Sequence, residues 1–178
     1  MTQDEQGANK SFIVAHWHSI TILLLVLAVA GVYVWKNVAV NSAKAQVTES
    51  ANRIITAQHK QYLRLVAVPL TWAVRSEMIK NNYDQINQYL NQFVKEKNMK
   101  EIVVAKPDGT IVVATNKKRE GASVTGAFPP SVLQEDKTAV TTLESGDIMV
   151  VSPVMGLNSK QGILILLYTP PSYTMQIP

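Results

Sequence analysis

Few side chains in this sequence have the type and spacing that chemistry needs. There are three histidines and no cysteine, so disulfides, thiolate zinc sites and a cysteine nucleophile are excluded together. His16 and His18 flank Trp17 near the start of an apolar run. Histidine in such a place invites a haem or chlorophyll ligand, although an imidazole at interface depth reaches water and needs no metal. His59 stands beside Lys60 with no acid or second histidine at ligand spacing. Glu135 and Asp136 are adjacent in a polar stretch, which is ordinary surface chemistry rather than an acid–base pair. With no HExxH, GxSxG, P-loop or dinucleotide fingerprint, the expectation is a non-catalytic protein with no metal and no cofactor. Candidate binding groups remain. Arg75, beside Trp72, can pair with a carboxylate; the plainer role is a guanidinium that snorkels or pairs with Glu77 or Asp84. Lys117, Lys118 and Arg119 form the one dense basic run in a chain of net charge +4. That run is too short to track nucleic acid, so Lys117 and Arg119 join Trp72 and Arg75 as small-ligand candidates, with a solvated loop face as the alternative.

The elements that must carry these residues begin in lipid. Residues 11–35 contain no Lys, Arg, Asp or Glu, and about 20 apolar residues in a helix span a bilayer. Trp17 at one end, with Tyr33, Trp35 and Lys36 at the other, places amphipathic rings and a stop charge at both interfaces. The reading is a tail over 1–12 and a transmembrane helix over 13–36. A cleaved signal is the rival, but the run exceeds the usual apolar core of such signals and offers no small-residue cleavage site before Tyr33, Trp35 and Lys36. Flanking charge, Lys10 on one side against Lys36, Lys44 and Arg53 on the other, does not favour a cytoplasmic N-terminus. Long domains translocate largely regardless of charge, so the domain type decides orientation.

Beyond Lys36, Val40, Val47 and Ile54 recur at every seventh residue, joined by Ala43, Ala51 and Tyr62. That period predicts a juxtamembrane helix over 37–80, whose seam meets either the domain's own second helix or a second copy of the chain. Pro69 predicts a kink over the preceding turn. Asn81 and Asn82 are cap-type residues, and Tyr83, Ile86, Tyr89, Leu90, Phe93 and Val94 predict a shorter amphipathic helix after them. From Glu101 the pattern turns to short β-branched runs. Residues 102–105 and 110–115 around Pro107-Asp108-Gly109 predict a hairpin, residues 138–143 and 148–154 a second, and residues 163–168 a last strand. The fold class is therefore α+β: a five-stranded antiparallel sheet over 81–170 with helices on one face, and a tail over 171–178. The connection over 116–137 is long enough to be functional, with a short helix expected at 130–134.

This order of elements, and above all the stretch "IVVAKPDGTIVVATNKKREG", resembles the Cache family, the PAS-like extracytoplasmic sensor module of bacterial chemoreceptors and histidine kinases. The likeness covers roughly residues 40–170 of the sequence. It implies a twisted sheet, a location in the periplasm or outside a bacterial inner membrane, and a small-ligand pocket between the sheet and the connection after the second strand. The spaced Tyr, Arg, Trp and Asp of amino-acid-binding members are not visible. Nor does a second span or output module follow before Pro178. The sequence thus favours an accessory, assembly or interaction subunit of a larger integral membrane complex, or a homodimer through its transmembrane and juxtamembrane helices. The alternative is a small-ligand sensor that signals through a separate membrane partner.

Overall fold

The computed structural model describes residues 17–173, with side chains from Thr21 onward. The expected 1–12 tail, His16, residues 174–178 and the side chains of Trp17 and His18 lie outside the described residues. The chain divides between Ser50 and Ala51 into two compact units, and helix α1 (Trp17–Ile79) contributes to both.

In the first unit, Ile22, Leu23, Leu24, Leu25, Val26 and Leu27 are each 58–66% exposed. Successive helical residues lie about 100° apart, so this run is apolar around the whole circumference, as a lipid-facing helix must be. Its most apolar window has mean hydropathy 2.0 with nothing buried. By length and composition it can cross a membrane. Tyr33 and Trp35 are exposed at the end of that run, just before Lys36.

In the second unit, α1 buries Leu63, Ala67, Leu70, Val74 and Met78. Steps of four and three residues put these on one stripe, each full burial contributing about 1.5–3 kcal/mol for the larger side chains. The helix continues through Pro69 without interruption. Proline has no N–H for the Leu65 carbonyl, and Leu65 is 67% exposed, so the loss falls on the outer side. Asn81, at φ 56°, ends the helix in the left-handed conformation. Asn82 then caps α2 (Tyr83–Phe93) by accepting from the Gln85 N–H. Ile86 and Leu90, one turn apart, are its buried face.

Five strands follow: β1 (Met99–Ala105), β2 (Ile111–Ala114), β3 (Ala139–Thr142), β4 (Ile148–Met155) and β5 (Lys160–Tyr168). They form one sheet in the order β2-β1-β5-β4-β3, every pair antiparallel. In the first turn Asp108 accepts from the Thr110 N–H at 2.8 Å, and Gly109 takes φ 87°. Strand β5 begins at Lys160, earlier than its apolar run, because Lys160 and Gly162 pair with Met155 and Val154 of β4. Pro153 is tolerated in β4 because pairing with β3 stops at Val151, which leaves that side without a ladder to break.

Both faces of the sheet are buried. Ile102, Val104, Val150, Leu164 and Leu166 meet the stripe of α1 and the buried pair of α2. Opposite, Val103, Ala105, Val151, Ile163 and Ile165 meet Val124, Phe128 and Val132 from the connection after β2. Burial on two faces explains why these strands read as continuous apolar runs rather than alternating ones. The connection carries three short 3-10 turns, the last at Pro130–Gln134.

Candidate functional site

The residues singled out from sequence do not form one site. Trp72 and Arg75 line a small cleft of about 170 Å³ with Thr71, Thr138, Ser152 and Met155, beside strands β3 and β4. Arg75 has no acid partner among the described residues. The Glu77 carboxylate instead takes hydrogen bonds from Lys80 at 3.0 Å and Asn82 at 2.7 Å, which hold its carboxyl below the usual carboxylate range. Trp72 is 68% exposed. Lys117 and Arg119 belong to the β2 edge, the opposite edge of the sheet.

Those two cations have internal partners. Lys117 reaches Glu120 and the Asn87 side chain, each at 2.7 Å. Burial raises the Glu120 carboxyl, but Lys117 and the Ala114 N–H outweigh it and leave the group below its ordinary value. The Arg119 Nε lies 2.6 Å from the Glu101 carboxylate, an ion pair rather than an aligned hydrogen bond, and its guanidinium sits 5.7 Å from the centre of the Phe128 ring. Where the Cache likeness implies a pocket, between the sheet and this connection, the chain packs its own Val124, Phe128 and Val132.

A larger cleft, about 590 Å³, opens elsewhere, where α1 passes the end of α2 and the adjoining ends of β1 and β5. Leu63, Val66 and Met99 give it aliphatic walls, and His59, Tyr62, Phe93 and Tyr168 give it rings. Gln58, Glu96 and Lys97 are its exposed polar rim. The His59 and Tyr168 rings are stacked, with centroids 5.4 Å apart and planes 25° from parallel. His59 Nδ1 is 2.8 Å from the Ile55 carbonyl oxygen. A carbonyl can only accept, so Nδ1 is the donor here and Nε2 is the ring nitrogen left for another partner. Tyr168 is 8% exposed, yet its hydroxyl has no hydrogen-bond partner among the described residues. The oxygen itself keeps access to solvent.

The chain leaving the floor of this cleft is tied down at two points. Just past Tyr168, Thr169 donates to Asp147 at 2.7 Å. Further on, the Asn52 side-chain amide of α1 pairs with the Tyr173 backbone, accepting its N–H at 2.7 Å and donating to its carbonyl at 3.2 Å. The size of the cleft suits a small organic ligand, since such pockets run about 300–1,000 Å³. Reading the sequence passed over it because His59, Phe93 and Tyr168 share no local pattern. The one available signal was a histidine on the buried side of a helix whose neighbours held no metal ligand.

No protein-family profile and no curated protein matches the sequence. The likeness is to solved structures. The extracellular domain of the histidine kinase designated vpHK1S-Z8 superposes with a TM-score of 0.55 at 15% identity, over 75% of this chain and 60% of that one. The sensor domain of the V. cholerae histidine kinase DctB gives 0.40 at 13% identity, over 66% and 56%. An extracellular ligand binding receptor from Desulfohalobium retbaense DSM5692 gives 0.43 at 17% identity, over 67% and 25%. The chain spans less than two thirds of each of these proteins. On the first of these likenesses, the chain shares the fold of that extracellular domain.

Proposed function

We propose that this chain is a membrane-tethered, extracytoplasmic sensor module that binds a small molecule in the cleft at His59 and Tyr168, and that it works by binding rather than by turnover. The observation that carries this reading is the cleft itself, about 590 Å³ between α1 and the ends of α2, β1 and β5, lined by the rings of His59, Tyr62, Phe93 and Tyr168. A ligand group that hydrogen-bonds the unpartnered Tyr168 hydroxyl adds about 0.5–1.5 kcal/mol to the apolar contacts. Sensing needs differential affinity for two arrangements of the domain. The cleft lies where that can arise, because the chain leaving Tyr168 is clipped back onto α1 through Asn52. The sensor reading thereby takes precedence over the accessory-subunit reading favoured from sequence, and the bacterial inner membrane with a periplasmic domain is the setting it implies.

A thermal-shift screen of the full chain against a metabolite panel tests this. The expected result is a melting temperature that rises with ligand concentration and ceases to do so in Val66→Trp, which fills the cleft. An assembly subunit gives a flat response across the panel and co-purifies with the same membrane proteins in mild detergent whatever the medium contains.

A further inference from the structure

We infer, resting on that reading of the cleft, that its ligand is a neutral hydroxylated aromatic molecule, a phenol of one or two fused rings. The ring pair sets the shape. His59 and Tyr168, stacked at 5.4 Å, offer a flat π surface, and Phe93 lines the same cleft, so a flat ligand meets faces and edges in the arrangements that aromatic groups prefer.

The hydrogen-bonding groups set the chemistry. With Nδ1 committed to the Ile55 carbonyl, the His59 ring in its neutral form presents an acceptor at Nε2, and the Tyr168 hydroxyl can both donate and accept. A ligand hydroxyl satisfies the two at once, donating to Nε2 and accepting from the Tyr168 O–H. A carboxylate sets a negative oxygen against the Nε2 lone pair. A quaternary ammonium gains the ring faces but leaves both polar groups unmet. The rim adds no preference of sign: Glu96 and Lys97 are neighbours of opposite charge, and neither has an ion-pair partner among the described residues. A charged ligand entering between apolar walls lacks the fixed counter-charge it needs.

The test uses the full chain in lipid nanodiscs, titrated calorimetrically with 2-naphthol, naphthalene-2-carboxylate and a naphthyl-trimethylammonium salt, with empty nanodiscs subtracted. Saturable 2-naphthol binding is expected, with the two charged probes at least roughly tenfold weaker. Tyr168→Phe, which keeps the ring and removes the oxygen, weakens 2-naphthol about fivefold; His59→Phe does the same, and where it fails to fold the tyrosine variant decides. Equal or tighter binding of either charged probe overturns the inference, as does equal 2-naphthol affinity in wild type and Tyr168→Phe, or no saturable binding at all. If the naphthalenes fail while the metabolite panel yields a ligand whose shift vanishes in Val66→Trp, the ligand class is wrong and the sensor cleft stands. A shift that survives Val66→Trp overturns the cleft itself.

Discussion

Asp147→Asn isolates the hub that holds the end of β5 in place. The carboxylate is 5% exposed and accepts from Lys100 of β1 at 2.7 Å, Thr169 at 2.7 Å and Ser145 at 2.9 Å. Asparagine keeps the volume and removes the charge. A hydrogen bond to a charged group contributes about 1.5–3 kcal/mol and a neutral one about 0.5–1.5, so the Thr169 and Ser145 bonds lose about 1 kcal/mol each. The Lys100 side chain is 51% exposed, and solvent screening limits its share to about 0.5 kcal/mol. The expected loss is about 2.5 kcal/mol, a fall in melting temperature of roughly 10 °C for a domain of this size, followed by circular dichroism on the full chain in mild detergent. The pH dependence supplies a second check. Lys100, then Thr169, with a smaller part from Ser145, hold the Asp147 carboxyl below its ordinary value. Its contribution is therefore complete above the unfolded aspartate range, about pH 4, and is lost as pH falls through the depressed value. The gap between wild type and variant is wide at pH 7 and closes only as the pH falls below the depressed Asp147 value. A gap that stays constant with pH, or that is under about 1 kcal/mol at pH 7, refutes the reasoning.

Gly162→Ala places a methyl group on the Ala105 carbonyl oxygen, with the Met78 methyl 2.9 Å away; a loss of about 3 kcal/mol or more is expected, and a wild-type urea midpoint contradicts it. Leu25→Arg puts a charge in the apolar run of α1 at about 2.5–3.5 kcal/mol, so the fraction of protein resisting carbonate extraction from membranes falls; full retention tells against the span. Asn52→Ala removes both contacts to Tyr173, so the Tyr173 amide exchanges with solvent much faster while global stability drops by about 1 kcal/mol; unchanged protection at that amide shows that the clip does not hold.

Much of the fold was legible because its signals are local. Pro107-Asp108-Gly109 declares a turn whatever surrounds it, since the Asp108 bond to Thr110 and the positive φ of Gly109 involve neighbours alone. The short helix at 130–134 was readable for the same reason: proline opens it. The start of β5 was not. Lys160, Gln161 and Gly162 have little strand preference of their own and are held by β4, which lies before them in the chain. Gly162 is selected by the close approach of Ala105, a contact that no sequence window contains. Site residues divide in the same way. Lys117 meets Glu120 three residues on, whereas the Glu101 partner of Arg119 and the Phe128 ring beside it come from β1 and from the connection after β2. Charge density singled out both positions, but only the partner of Lys117 lies within reach of a local reading.

The cleft lay beyond local reading because its residues come from opposite ends of the unit. Its floor is the last residue of the last strand, and its wall is the first helix of the same unit. Only completion of the sheet brings Tyr168 to His59, so anything bound there contacts the earliest and latest parts of the unit together. The exit from β5 is then fixed at two points, Thr169 to Asp147 and Tyr173 to Asn52. A ligand that parts or draws together the His59–Tyr168 stack must therefore load one of these contacts or the other. Asp147, almost fully buried and holding three donors, is the stiffer of the two. Asn52 makes two neutral bonds in an exposed setting, which makes it the weaker link of the two.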